Sequence, residues 1–217
     1  MIRLLGRATS GNVQKVIFLL EELGLKYVRE DYGRQFNNTN TDAYRKLNPT
    51  MKVPTLVDSD LVSWESNTIL RYLAAKHNPA LTGATPAEKT YVGRWMDWML
   101  ASLNTPYVAV FKDAKKPAAE RSADFTAQSA DLIAQLKILD GHIAGKNWFA
   151  LDRLTIADIA LAPVVKRSLE FPIERPEFAD LSRWMKAIET RPAFAVAIGA
   201  KPSALATAAQ DGSRDGH

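Results

Sequence analysis

The feature that most constrains this chain is a change of pattern at Lys76. Before it, short apolar runs alternate with helix-period segments; after it, only helix-period segments follow. Ile2 to Leu5 reads as a short buried strand. From Asn12 onward, Val13, Val16, Ile17, Leu20 and Leu23 recur at helical spacing. Gly24 then acts as a stop, because the left-handed conformation costs glycine little. Lys26 to Asp31 reads as a second strand, and the polar stretch Gly33 to Asp42 leads into a short helix over Ala43 to Leu47. Val53 to Val57 and Leu61 to Trp64 flank Asp58-Ser59-Asp60, a hairpin signal, and Ser66 to Ala75 closes the unit as a helix. The order β-α-β-α-β-β-α, opening with a right-handed crossover between parallel strands, predicts an α/β domain over residues 1–76.

Residues 77–85, with Pro79 and Gly83 and with Pro86 just beyond, suit a linker. Residues 86–210 predict an all-helical domain without a strand. Its helices run from Pro86 to about Lys115, from Ala119 to about Ala144, from Thr155 to Leu169 and from Glu177 to Thr190, with one more turn or helix after Ala193. The first is rich in Trp95, Met96, Trp98 and Met99, an apolar excess that suits a subunit interface. Residues 211–217 are polar and are expected to be a disordered tail.

Composition narrows the chemistry. The chain has no cysteine, which excludes disulfides, thiolate metal sites and a thiol nucleophile borne by the protein. Any sulfur chemistry must therefore arrive with a ligand. The net charge of +4 suits anionic small molecules but is too small and dispersed for nucleic acid. His77, His142 and His217 lack metal-ligand spacing, so no metal is expected. No G-x-S-x-G elbow is present, and Gly141 to Asn147 has the wrong spacing for a phosphate loop. The start MIRLLGRATS lacks a leader pattern, and no run of about 18 apolar residues suggests a membrane span, so the cytoplasm is the expected compartment.

Four short segments could carry function, and each has a plain structural reading beside it. In the turn Arg7 to Asn12, Ser10 and Asn12 can simply cap the first helix. With the positive helix end they can also hold a thiolate and lower its pKa. Val53-Pro54 is ordinary strand punctuation, or a backbone edge offered to an extended peptide ligand. Glu65-Ser66 is a cap, or a pair suited to an α-amino acid head group with both an ammonium and a carboxylate. Leu154-Thr155-Ile156-Ala157-Asp158-Ile159 is a capping box, with Thr155 and Asp158 in structural roles.

In this order, and over nearly the whole chain, these segments resemble the cytosolic glutathione transferases. The most specific pieces are Met51-Lys-Val-Pro-Thr-Leu56, Trp64-Glu-Ser-Asn-Thr-Ile-Leu-Arg-Tyr-Leu73 and Leu154-Thr-Ile-Ala-Asp-Ile159. The resemblance implies a thioredoxin-like N-terminal domain plus an all-α C-terminal domain, glutathione as co-substrate, a small hydrophobic electrophile, and a two-fold homodimer. It implies that Glu65 and Ser66 hold the γ-glutamyl ammonium and carboxylate. Val53 would pair with the cysteinyl unit beside a cis Pro54, and Lys52 would meet the glycyl carboxylate. Ser10 matches the thiolate-supporting hydroxyl of theta-, delta- and nu-like classes, and Asn12 an asparagine that assists it in nu-like bacterial members. Thr9, its neighbour, leaves the identity of that hydroxyl open by one residue. The turn has neither the tyrosine of the alpha, mu and pi classes nor the cysteine of omega- and beta-type enzymes. Tyr107, Phe111 and Arg167 are the expected electrophile-pocket residues. Three functions follow as alternatives: conjugation of glutathione to electrophiles, glutathione-dependent disulfide or peroxide reduction on the same site, and glutathione binding without turnover.

Overall fold

The computed structural model describes residues 1–208, which divide into two compact units. The first unit holds Met1–Leu73 together with the chain from Pro192 onward; the second holds Ala74–Arg191.

The first unit is built on β1 (Ile2–Leu5), α1 (Gly11–Glu22), β2 (Tyr27–Glu30), α2 (Asp42–Leu47), β3 (Thr55–Asp58), β4 (Leu61–Trp64) and the start of α3 (Ser66–His77). β1 pairs parallel with β2 and antiparallel with β3, and β3 pairs antiparallel with β4. The expected element order is therefore present. Asp58 lies opposite Leu61, so the hairpin turn is only Ser59-Asp60, one residue shorter than the sequence suggests. Gly24 ends α1 as expected: at φ +65 it donates to the Glu21 carbonyl, and Leu25 donates to that of Leu20. Leu4, Leu5, Val13, Val16, Ile17, Leu20, Leu56 and Ile69 form the buried centre.

The C-terminal segment differs from expectation. α9 (Pro192–Ala197) packs on α1, where Phe194 meets Phe18 edge-on at 5.1 Å, so it belongs to the first unit. Beyond it β5 (Ala206–Ala208) joins the sheet parallel to β2, giving the order β4-β3-β1-β2-β5. A latch leads into it: Glu21 accepts from the Tyr27 hydroxyl at 2.9 Å and from the Ser203 hydroxyl, while Tyr27 N–H reaches the Leu205 carbonyl at 3.2 Å. No strand was expected beyond Lys76. Three residues reading Ala-Thr-Ala have no strand pattern of their own; the free edge of β2 makes them one. The tail expected over residues 211–217 lies outside the described residues.

The second unit contains α4 (Pro86–Trp98), α5 (Asn104–Asp113), α6 (Phe125–Ile143), α7 (Ile156–Glu170) and α8 (Ala179–Glu189). α4 and α5 form one continuous run through a π-helical turn at Met99–Leu103, within the span expected as one helix. α6 starts later than expected. Asp113 gathers Lys116 Nζ at 2.6 Å, Ser122 N–H at 3.0 Å and the Ser122 hydroxyl, which holds the intervening chain as a loop. Trp95, Met96 and Met99 are buried within the chain itself, and Tyr91 and Leu100 are the large apolar groups left exposed on this run. That is a correction to the reading of the tryptophan-rich helix as surplus apolar surface. Among the described residues no helix is long and apolar enough to cross a membrane.

Candidate active site

The turn after β1 leads directly into α1. Gly6 N–H and Arg7 N–H bond to the Glu30 and Tyr32 carbonyls, tying the turn to the end of β2. Ser10 N–H then returns to the Arg7 carbonyl at 3.1 Å, and Gln14 Nε2 clamps the Ala8 carbonyl at 3.0 Å. Gly6 is needed here, because a Cβ would stand 2.5 Å from Val13 Cγ2 and 3.4 Å from Val53 Cβ. The same close approach brings the Val53 segment beside the turn. Gly33, at φ +86, also abuts Val53 and the Arg7 guanidinium.

Ser10 occupies the N-cap of α1, with φ −80 and ψ 125. Its carbonyl accepts the first helical bond from Gln14, but its hydroxyl makes no capping bond, and the residue is 8% exposed. The capping reading of Ser10 therefore holds for its backbone and fails for its side chain. Thr9, in contrast, is exposed. Asn12 lies in the first turn of α1, and its Oδ1 accepts from the Ser66 hydroxyl at 3.4 Å. This long bond joins the start of α1 to the start of α3, so two positive helix ends meet at one place.

Ser66 is buried, and Glu65 before it is exposed with φ +67, in the left-handed region that a glutamate rarely adopts. Its carbonyl accepts from Ile69 N–H at 3.0 Å, the opening bond of α3. The strained backbone fixes where the Glu65 carboxylate leaves the chain. Val53–Pro54 is a cis peptide. The segment before it is anchored by a buried polar network. Tyr44 hydroxyl donates to the Lys52 carbonyl at 2.8 Å and lies 2.9 Å from Thr55 Oγ1. Asn48 Nδ2 reaches the same carbonyl at 2.9 Å and Thr55 Oγ1 at 3.0 Å. Lys52 itself is exposed. Thus the turn that carries Ser10 lies against Val53 and Asn12 meets Ser66 across the two helix starts, with Lys52, Pro54 and Glu65 adjacent to these residues in the chain.

Sequence reasoning missed the Tyr44–Asn48–Thr55 anchor, although Asn48-Pro49-Thr50 reads as a turn and Asn48 Oδ1 indeed accepts from Thr50 N–H at 3.0 Å. It also missed Lys15. This lysine is 1% exposed on the core side of α1, where burial pulls its ammonium down to about 7 and the charge of Glu65 opposes that shift.

In the second unit, Tyr107, Phe111 and Arg167 come together. The Tyr107 and Phe111 rings are 6.1 Å apart and the Arg167 guanidinium lies 5.7 Å from the Phe111 ring centre. Phe171, not foreseen, stacks on Tyr107 at 5.9 Å. Thr155 and Asp158 form the expected capping box. Asp158 Oδ2 accepts from Thr155 N–H at 3.0 Å and Thr155 Oγ1 at 2.9 Å, and Thr155 Oγ1 accepts from Ala157 N–H at 3.3 Å. Asp158 Oδ1 reaches further, accepting from Phe149 N–H at 2.9 Å and Trp184 Nε1 at 3.3 Å. Among the described residues no group of three or more His, Cys, Asp or Glu is placed to hold a metal.

Comparison with known proteins identifies the family. Residues 9–76 match the family profile described as glutathione S-transferase, N-terminal domain, and residues 96–192 match glutathione S-transferase, C-terminal domain. The glutathione S-transferase GstB of Escherichia coli strain K12 is 35% identical over 198 residues, covering 89% of this chain and 95% of the relative. The chain belongs to the glutathione S-transferase family. Glutathione S-transferase verG of Clonostachys rogersoniana is 30% identical over 200 residues, covering 84% of this chain and 81% of the relative. Among solved structures, the theta class glutathione S-transferase of the citrus canker pathogen Xanthomonas axonopodis pv. citri, with glutathione bound, superposes with a TM-score of 0.87. It is 36% identical, covering 93% of this chain and 99% of that one. The activity class of the chain is accordingly that of a glutathione transferase.

Proposed function

We propose that this enzyme binds glutathione on the Ser10–Val53–Ser66 face of its first unit and conjugates the thiolate to small hydrophobic electrophiles. The observation that carries this reading is the Ser10 hydroxyl: buried at the start of α1, yet engaged in no capping bond. Ser10 would donate its hydroxyl hydrogen to the glutathione sulfur, and Asn12 would supply a second donor. The α1 amide end adds a positive field, and each of these favours thiolate over thiol. Ser66 and the α3 amide end would take the γ-glutamyl carboxylate, and Glu65 its ammonium. The anchored Val53 backbone would pair with the cysteinyl unit, and Lys52 with the glycyl carboxylate. Tyr107, Phe111 and Arg167 of the second unit are the residues proposed to contact the electrophile. The proposed working form is a homodimer in the cytoplasm.

The test is the pH dependence of thiolate absorbance in the glutathione complex, with conjugation rates in parallel. A thiol of pKa about 8.5 must fall by about two units to be mostly ionised at neutral pH, which is about 2.7 kcal/mol of differential stabilisation. Ser10→Ala is expected to raise the bound thiol's pKa and slow conjugation while glutathione affinity changes little. If Thr9→Ala or Asn12→Ala moves the pKa and Ser10→Ala does not, Ser10 is not the thiolate donor. Turnover of a chlorinated aromatic, a peroxide and a mixed disulfide is measured on the same preparation. Activity on the last two alone would replace conjugation with reduction.

A further inference from the structure

The connection between α6 and α7 borders a cavity of about 360 Å³ within the second unit, lined by Arg94, His142, Lys146, Trp148, Phe149 and Asp152 among others. Arg94 comes from α4, His142 from the last turn of α6, and Lys146 from the loop. Among the described residues neither Arg94 nor Lys146 makes an ion pair. Arg94 rests on the Tyr91 ring, 4.9 Å from its centre. Arg94 and Lys146 line the same concavity as His142, and both charges act on its imidazole, so their fields overlap there and favour a ligand of opposite charge.

The backbone around them is prepared for such a ligand. A helix C-terminus ordinarily repels anions because its last carbonyls are unsatisfied. At this one the last carbonyl of α6 is occupied: Arg183 Nη2 donates to Ile143 at 3.0 Å and Lys146 N–H donates to it at 2.9 Å, while the same Nη2 donates to the loop carbonyl of Lys146 at 2.8 Å. His142 Nε2 donates to the Phe149 carbonyl at 2.8 Å, which leaves Nδ1 as the nitrogen that titrates. Asp152 is the one acidic side chain on the lining. Asp158, behind Phe149, accepts four hydrogen bonds and points its carboxylate into them. Asp180 is already paired with Arg183 at 3.3 Å.

We propose that the cavity at Arg94, His142 and Lys146 is a second ligand site of this protein, which takes a small oxyanion of the phosphate class. The ion is either free or the terminal group of a phosphate monoester. Arg94 and Lys146 supply the charge, and His142 adds a donor when it is protonated. The site does not depend on the reading of Ser10 and Ser66.

The imidazole reports directly on occupancy. Burial lowers the His142 pKa, the bond to Phe149 opposes this, and Lys146 and Arg94 lower it further. An anion between these cations must raise it. The experiment is a proton NMR titration of the three histidines, His77, His142 and His217, in chloride, inorganic phosphate or glycerol phosphate at equal ionic strength. Phosphate is expected to move the His142 midpoint upward by about half a unit or more relative to chloride, with His77 unchanged. In the double variant Arg94→Gln, Lys146→Gln the midpoint in chloride rises and the phosphate response disappears. A larger response to the monoester assigns the ligand as a terminal group, and a larger response to inorganic phosphate assigns it as the free ion. Equal midpoints in chloride and both phosphates, or a phosphate response retained in the double variant, would overturn the site.

Discussion

Replacing Asp158 with alanine should destabilise this protein well beyond the loss of a helix cap. An N-cap substitution typically costs about 1 kcal/mol. Asp158 does more than cap α7, because its two oxygens also hold Phe149 N–H in the preceding loop and Trp184 Nε1 on α8. Asp158→Ala strands three fixed N–H donors and the Thr155 hydroxyl in a fully buried setting, at about 1–3 kcal/mol for each donor left without a partner. Part of this is offset, because the carboxylate is itself expensive to bury. Burial pushes its pKa from the ordinary 3.8 up to about 6 against four hydrogen bonds, and removing it at neutral pH returns about 3 kcal/mol. The net expectation is a loss of at least about 1 kcal/mol and up to several, read as a midpoint shift in urea or a Tm lowered by about 2–4 °C for each kcal/mol lost. Glutathione affinity in the folded fraction should be unchanged. Asp158→Asn keeps one acceptor and should fall between the two. The pH arm has a definite sign. Between pH about 4 and 6 the native carboxyl holds a proton that the unfolded chain has released, so wild-type stability falls as pH rises through that window. Asp158→Asn lacks this slope, so its deficit against wild type should be largest near pH 4 and narrow toward neutrality. A loss below about 0.5 kcal/mol in Asp158→Ala would refute the reasoning. Parallel pH curves would show that the four donors keep the carboxylate ionised.

Ser66→Ala should weaken glutathione binding by about 1–2 kcal/mol through loss of a charge-assisted bond, and unchanged calorimetric affinity removes Ser66 from the glutamyl site. Lys15→Met should raise stability at neutral pH by about 1–3 kcal/mol, because it replaces an ammonium whose burial outweighs the attraction of Glu65 with an apolar chain of similar length. Wild-type stability should also rise from pH about 7 toward 10, since the unfolded lysine keeps its proton in that range and the native one does not. A destabilised Lys15→Met, or a flat profile in wild type, contradicts this. Light scattering at micromolar concentration should show a species of twice 24.0 kDa, and a monomer alone would exclude the homodimer.

What could be read in the sequence was what neighbouring residues decide among themselves. Gly24 ends α1 with its own bond to Glu21 and that of Leu25 to Leu20, and Thr155 meets Asp158 three residues on; both are local and both were foreseen. Ser10 and Ser66 were visible for the same reason, since each stands where a helix begins. What the sequence left open was whether their hydroxyls are engaged locally, because the answer depends on which way each side chain turns. For Ser66 the partner is Asn12, fifty-four positions away, and for Ser10 no capping bond forms at all. Features decided across the fold were not legible. Lys15 stands between Gln14 and Val16 with nothing to mark it as buried, and its burial arises only once α1 is packed. β5 is a strand because the edge of β2 receives it, and α9 joins the first unit because Phe18 has room for Phe194. The Tyr44–Asn48–Thr55 network matters most for function, since it holds the Lys52–Pro54 segment from beneath. Tyr44→Phe would delete the hydroxyl that supports the Lys52 carbonyl and leave the ring in place. Its effect should therefore appear as weaker glutathione binding with the bound thiol's pKa unchanged, the reverse of the Ser10→Ala pattern. A Tyr44→Phe variant with wild-type affinity would mean that Asn48 alone suffices to anchor the segment.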